Sequence, residues 1–429
     1  MRKILYIFIL FPMLMQAQQL TLQDAINTAL KNNFDIQIAR NNAEISRINN
    51  TYGMAGGLPS VNINASDNNS IYDLNQKLSS GSEINKAGVT SNTLNAGLTA
   101  GITLFNGFKV VATKERLNYL QSQSEILLNQ QIQNTMAAVM TTYFDIVRQQ
   151  SYLKIIQNSL DVSAKKLEIL KARQLVGMAN DADLLQAQMD FSMAEQNLKS
   201  QQLIVEEQKI NLQQLIGIKQ FSSISINDSV IVNNTLQKDS IFNFLINNPQ
   251  YLSADQQVKI NQQLVKEIGA QRYPSLKMST GYNYNYSNNS AGISLFTQNY
   301  GPMVGATLQI PIFNGNIYKT QQEVARYNVQ NAELQKENLL LSIKADAEKT
   351  WQSYENTLLQ LKAQEENFEN ATKLVELVVE KFKVSQATIL DLKAAQTTYE
   401  NTAYLLINLK FSAKISEIEL KRLVYQLGR

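Results

Sequence analysis

Apolar and polar residues alternate one by one in four stretches of the chain. Val61, Ile63 and Ala65 are interleaved with Asn62, Asn64 and Ser66, and Leu94, Ala96, Leu98, Ala100, Ile102 and Leu104 with Asn95, Gly97, Thr99, Gly101 and Thr103. Further on, Leu276, Met278, Tyr282, Tyr284 and Tyr286 alternate with Lys277, Ser279, Gly281, Asn283 and Asn285, and Val304, Ala306, Leu308, Ile310 and Ile312 with Gly305, Thr307, Gln309 and Pro311. A period of two assigns each residue type to one face of a β-strand. Strands are therefore predicted at about 58–70, 92–106, 274–288 and 300–313. A soluble sandwich would carry Lys and Glu on its wet face; here that face carries Asn, Ser, Thr and Gly, the pattern of a transmembrane barrel strand. Tyr282, Tyr284 and Tyr286 fit a lipid-facing, interfacial aromatic surface. Four strands cannot close a barrel, and an open edge is not tolerated in lipid. The chain is thus expected to pool strands with copies of itself: two would give eight and three would give twelve, both within the known range of about 8 to 26.

Elsewhere the period is helical. Two stretches, 107–175 and 315–383, run for about 70 residues each, or roughly 105 Å at 1.5 Å per residue. Helices beyond ~25 residues suggest a coiled coil. The first carries a drifting stripe of Leu120, Leu127, Ile132, Met136, Val139, Tyr143, Val147, Leu153, Ile156, Leu160, Leu167 and Leu170. In the second the stripe is Leu334, Ile343, Ala347, Trp351, Tyr354, Leu358, Leu361, Phe368, Leu374 and Phe382. A helix over 181–217 (389–427 in the second half) is predicted to cover about half of each long one. A leading helix, Leu20 to about Ala55 and Leu236 to about Arg272, would stack end to end with it and cover the rest.

The chain is written twice. Asp24, Asn32-Asn33 and Leu58-Pro59-Ser60 match Asp239, Asn247-Asn248 and Tyr273-Pro274-Ser275 at an offset of 215. Leu104-Phe105-Asn106-Gly107 matches Ile312-Phe313-Asn314-Gly315 at an offset of 208, and the same offset relates Val176–Asn180 to Val384–Thr388, Asp183-Leu184 to Asp391-Leu392 and Tyr143 to Trp351. Tyr143 and Trp351 are read as equivalent core residues. The predicted organisation is a first repeat over 18–217 with a tip at 176–180, a β-leaning linker over 218–236, and a second repeat over 237–429 with a tip at 384–388.

Composition narrows the function. There is no Cys and no His among 429 residues, so disulfides, thiolate sites, a thiol nucleophile and the commonest general base and metal ligand are gone. Nothing brings nucleophile, base and oxyanion site together, and there is no phosphate-cradling glycine loop; no enzymatic activity and no cofactor are expected. A net charge of +3 is too small for a nucleic-acid binder. Arg2 and Lys3, the apolar run Ile4–Met15 and small Ala17 describe an export signal over 1–17. About 12 apolar residues are too few to span a membrane. Removing Arg2 and Lys3 takes the charge from +3 to +1.

At the tips, Asn180 and Thr388 precede Asp183 and Asp391 by three residues, the spacing of a capping box with Asp in place of Glu. Helix-end electrostatics alone can account for both aspartates.

The export signal, the duplicated helix–strand–strand–helix–helix unit, the Phe-Asn-Gly turns and the paired tips together resemble the TolC family of outer-membrane efflux proteins, over essentially the whole chain after the signal. The resemblance implies a trimer: a 12-stranded outer-membrane β-barrel, four strands per chain, continuous with a long periplasmic α-helical coiled-coil barrel. It implies a passive exit duct of a tripartite efflux or type I secretion system, partnered by an inner-membrane pump, a periplasmic adaptor and outer-membrane lipid. It places the periplasmic constriction at Asp391 and Asp183. It places adaptor docking at Val176, Gly177, Met178 and Ala179 with Val384, Ser385, Gln386 and Ala387. The family's lock to the first-repeat aspartate falls on Ala387 and Phe382, which cannot make those bonds, and its further acidic position is Ala394; a Gly expected in the second tip is Ser385. The alternative is a periplasmic coiled-coil adaptor or scaffold without a pore, which would have one hairpin flanking a lipoyl-like β domain.

Overall fold

The computed structural model describes residues 18–232 and 236–428; the expected export signal at 1–17 lies outside them. The chain divides into two compact units. One comprises the chain up to Arg40, Leu127–Tyr251 and the chain from Leu339; the other comprises Asn41–Ile126 and Leu252–Asn338. Each unit draws on both sequence repeats, because both long helices pass from one unit into the other.

In chain order the elements are β1 (Gln18–Gln19), α1 (Leu22–Asn32), α2 (Phe34–Asn49), β2 (Ser60–Lys77), β3 (Glu83–Asn106), α3 (Lys109–Leu175), α4 (Asp181–Leu215) and β4 (Ile224–Ser225). Then come α5 (Lys238–Phe244), a single 3₁₀ turn (Leu245–Asn247), α6 (Pro249–Ala270), β5 (Ser275–Asn289), β6 (Phe296–Gln309), α7 (Ile317–Lys383) and α8 (Ile389–Leu423). The long helices α3 and α7 have 67 residues each, and α4 and α8 have 35 each. Among the described residues no helix is long and apolar enough to cross a membrane.

The leading helices are each broken where continuity was expected. Asn33 leaves helical geometry at φ −61°, ψ 128°, and Asn248 at φ −58°, ψ 126°. Both are buried, and each satisfies the exposed ends of three elements at once. The Asn33 side-chain oxygen accepts from Ile36 N–H at 3.1 Å, while its amide donates to Leu215 O at 2.8 Å. Asn248 repeats the arrangement, accepting from Gln250 N–H at 2.9 Å and donating to Leu423 O at 2.9 Å. An asparagine offers both donor and acceptor, so it can start one helix and close the C-terminus of another.

The first unit buries its core where α1, α3, α4 and α8 meet. Ala25, Ala29, Val139, Tyr143, Ile146, Leu212 and Ile418 pack together, with Ile224 and Ile226 from the predicted linker closing over them. Tyr143 is buried, and its hydroxyl donates to Leu20 O and to Asp228 Oδ2, both at 3.3 Å. A second cluster of the same unit holds Ile343, Ala347, Trp351 and Tyr354 against Ile241, Leu245, Leu420 and Leu423. Tyr143 and Trp351 are both core. α4 runs beside α3, with Gln201 bonded to Gln149, and α8 beside α7, with the Gln364 amide 2.8 Å from Thr402 O.

The predicted stripes need correction at three positions. Leu127, Leu334 and Leu374 are 46%, 63% and 43% exposed. A seam of mixed three- and four-residue spacing rotates around a straight helix, so these leucines leave the intrachain seam. Small or polar residues stand within it instead: Ser159, Ser163, Lys166, Thr357 and Gln364 are all buried.

In the second unit, α2 packs on the start of α3 (Ser46 and Ser124 hydroxyls 2.7 Å apart) and α6 on the start of α7 (Asn261 to Asn328 O, 3.2 Å). The four barrel-like strands form one antiparallel sheet, ordered β2-β3-β5-β6. The β2–β3 hairpin extends beyond the alternating segment, through Leu74↔Lys86 to Lys77↔Glu83. Backbone pairing continues there although the side chains no longer alternate.

Candidate conduit wall and hairpin tips

Register sorts the sheet's side chains cleanly. One face carries the rows Ile63–Leu98–Tyr282–Pro302, Ala65–Ala96–Tyr284–Tyr300 and Val61–Ala100–Thr280–Val304. The opposite face carries Asn62–Thr99–Gly281–Met303, Asn64–Gly97–Asn283–Gly301 and Ser66–Asn95–Asn285–Asn299. The first face is apolar, and much of it is exposed in the single chain: Ile63 78%, Val304 73% and Tyr300 68%. In these rows the second is uncharged and, Met303 apart, built of small, hydroxyl or amide side chains. At Gly281 a Cβ would stand 2.5 Å from the Leu98 backbone O, so β5 and β3 approach more closely there than alanine allows. The expected aromatics Tyr282, Tyr284 and Tyr286 all lie on the first face, although the row of Tyr286 also carries Asp67 and Gln298 beside Leu94. Tyr282 is exposed, Tyr284 accepts from Gln298 at 3.4 Å, and Tyr286 packs edge-on against Phe296.

Both outer strands, β2 with 18 residues and β6 with 14, have an unpaired edge in the chain. Pro302 lies on β6, an edge strand of the chain's sheet, the position where a residue without an N–H is tolerated.

The tips end α3 and α7 in the same backbone turn. Gly177 N–H bonds Gln174 O at 2.9 Å and Met178 N–H bonds Arg173 O at 2.8 Å. In the second tip Ser385 N–H bonds Phe382 O at 3.2 Å and Gln386 N–H bonds Lys381 O at 2.9 Å. This pair of bonds is the Schellman motif, which places its C′ residue in the left-handed region. Gly177 has φ 74° and Ser385 φ 62°, so the turn persists where the glycine is lost. Val176, Met178 and Val384 are 69%, 68% and 64% exposed, and Gly177, Ser385 and Gln386 are exposed as well. Ala179 and Ala387 instead pack against the small core of Leu170, Ala187, Val379, Phe382 and Leu392. Sequence reasoning passed over Leu175 and Leu390, which are 88% and 77% exposed at the same tips.

The two aspartates differ in setting. Asp391 completes a capping box: Thr388 N–H and hydroxyl both donate to its Oδ2, at 2.8 and 2.7 Å, and Asp391 N–H donates to the Thr388 hydroxyl at 3.1 Å. The bond from the Thr388 backbone, then that from its hydroxyl, holds the Asp391 carboxyl below the usual range, so it is ionised at neutral pH. Asp183 gives its N–H to Asn180 at 2.7 Å, without the reciprocal bond. Phe382 is fully buried beneath the Arg173 guanidinium, whose carbon is 4.7 Å from the ring centroid and which also donates to Phe382 O.

Behind the tips a charge cluster is centred on one buried lysine. Lys166, 1% exposed, bonds Asp190 Oδ2 at 2.5 Å; Gln186 donates to Asp190 Oδ1 at 2.9 Å, and Lys393 stands 3.6 Å from that oxygen. Burial opposes ionisation of Asp190, but the bonds from Lys166 and Gln186 and the two positive charges outweigh it and hold the carboxyl below its ordinary value. A lysine in an apolar stripe carries no sequence signal of its counter-ion 24 residues away.

The family model described as outer membrane efflux protein matches residues 25–218 and 241–424. No curated protein matches by sequence. Among solved structures, the outer membrane protein VceC of Vibrio cholerae is 18% identical, covering 94% of this chain and 95% of its own with a TM-score of 0.73. The CmeC outer membrane channel of Campylobacter jejuni is 16% identical, covering 95% and 87%, with a TM-score of 0.79. The MtrE outer membrane channel of Neisseria gonorrhoeae, solved in its open state, is 17% identical, covering 94% and 88%, with a TM-score of 0.70.

Proposed function

This chain belongs to the outer membrane efflux protein family, and from that premise we propose that three copies join their sheets into one 12-stranded barrel that serves as the exit duct of a tripartite pump. The protein is an outer-membrane efflux channel with a large helical periplasmic portion. Its apolar sheet face meets lipid, with Tyr282, Tyr284 and Tyr286 among the contacts, and its uncharged polar face lines water. The observation that carries this reading is the sheet itself: one face apolar and exposed, one face polar and almost without charge, and two open edges that lipid does not tolerate. The adaptor and scaffold alternative has no use for such a sheet.

At the periplasmic end, the exposed Val176, Gly177, Met178, Val384, Ser385 and Gln386 are offered to an adaptor, with Ala179 and Ala387 supporting the turns from within. Three Asp391 carboxylates of the second-repeat tips, with Asp183 in the first-repeat tips, form a negative ring that disfavours anions at the entrance. Transport is passive: no cofactor site or reaction is assigned, and the inner-membrane pump supplies energy and chooses cargo.

The test is reconstitution. The purified processed protein is expected to migrate as a heat-modifiable trimer and to open ion-conducting pores in planar bilayers. Asp391→Asn is expected to lower cation preference at least threefold, since one unit charge at ~6 Å in water is worth about that factor and the trimer loses three. A water-soluble monomer that never conducts overturns the duct, and unchanged selectivity in Asp391→Asn reduces Asp391 to a helix cap.

A further inference from the structure

At the base of the sheet lies a cavity of about 510 Å³ that the reading above does not use. All its walls belong to the second unit. Two cations line it: Lys109, the first residue of α3, and Lys277 on β5. Around them stand the donors Thr103, Asn106, Ser275 and Tyr318, and no Asp or Glu is present in the lining. Neither lysine meets a carboxylate among the described residues. Other cations of this unit do: Arg116 bonds Glu267 at 2.5 Å and Lys336 bonds Asp255 at 3.2 Å.

Position adds to the case. Lys277 belongs to the polar face, in the row Thr103–Lys277–Thr307. From that row to the row Asn68–Thr93–Ser287–Thr297 the polar face holds no other charge. A lone positive charge on a neutral wall sets the local potential there, and nothing in the cavity neutralises it. Lysine is a compact ammonium with three donors, suited to phosphate or carboxylate oxygens, and hydroxyl and amide groups can complete their coordination.

We propose that this cavity binds an anionic group, phosphate or carboxylate, of a solute moving along the polar face, so that the base of the barrel forms an anion-attracting collar. The placement in the conduit rests on the duct reading; the binding itself does not.

Pyrophosphate titrated into the detergent-solubilised full-length protein tests the binding. Wild type is expected to bind it and the Lys109→Gln/Lys277→Gln double variant to bind at least tenfold more weakly, with Lys109→Arg/Lys277→Arg restoring affinity. In planar bilayers the double Gln variant is expected to conduct, with a potassium-to-chloride permeability ratio raised at least threefold over wild type, the effect of a single unit charge at ~6 Å in water. Absence of pyrophosphate binding by wild type, or equal binding by a correctly trimeric double Gln variant, overturns the proposal. So does binding of phosphatidylglycerol nanodiscs that depends on both lysines while pyrophosphate is ignored, since the ligand is then a lipid headgroup. Lysine-dependent pyrophosphate binding by a protein that never conducts supports the site and sinks the duct reading alone.

Discussion

Asn33 and Asn248 show how much one side chain can decide. Each ends one helix, starts the next and satisfies one last-turn carbonyl of a third. Asn248→Ala removes a buried donor and leaves Leu423 O without it, so thermal unfolding should show a loss of about 1–3 kcal/mol, with Asn33→Ala similar. Ser385 is the opposite case, a residue tolerated in spite of its backbone. A non-glycine residue in the left-handed region costs roughly 1–2 kcal/mol, and the Ser385 side chain is exposed. Ser385→Gly is therefore expected to stabilise the second tip by about 1 kcal/mol, seen as slower limited proteolysis between α7 and α8. The aligned motifs pointed to both positions, but the bonds that give Asn33 and Asn248 their role run to helix ends 182 and 175 residues away, which no local pattern encodes.

Among elements, the pairing of each long helix with a shorter one combines an apolar seam with buried polar contacts. Lys166 and Asp190 join α3 to α4 in such a contact. Asp190→Asn would leave a buried ammonium without its counter-charge and should cost about 3 kcal/mol, whereas a Lys166→Met/Asp190→Leu pair should recover most of it. The sign of the pH dependence follows from the lowered carboxyl. Because the folded value lies below the unfolded one, the ion pair stabilises fully above the ordinary aspartate range near ~4 and is lost as the pH falls through the folded value. Unfolding midpoints of wild type measured downward from pH 6 should decline more steeply than those of the Met/Leu variant. Element types were legible in the period of the apolar residues, two for the strands and about 3.6 for the helices. The breaks at Asn33 and at Leu245–Asn248 were not, since an asparagine within a helical pattern reads as a solvated position until its tertiary partners are known.

For the whole molecule, the open edges of β2 and β6 are the demand that one chain leaves unmet. The absence of cysteine gives a clean background for testing who meets it. Paired single cysteines, one along β2 between 61 and 71 and one along β6 between 297 and 307, are expected to cross-link in the native membrane into species of up to three chains. Cross-links confined to single chains would contradict the proposed closure. The exposed stripe residues Leu127, Leu334 and Leu374 pose the same demand along the helices.

The four strands with their two unlike faces and the long helices were determined by the order of apolar and polar residues, because periodicity fixes which side chains share a face before any chain contact forms; the duplication and the tips were legible in motifs that recur at offsets of 215 and 208. Tertiary structure alone decided which faces are covered, which leucines leave the seam, how Lys166 finds Asp190 and where Lys109 and Lys277 come to share one cavity. Those outcomes depend on residues far apart in sequence meeting across packed elements, and local pattern carries no record of such distances.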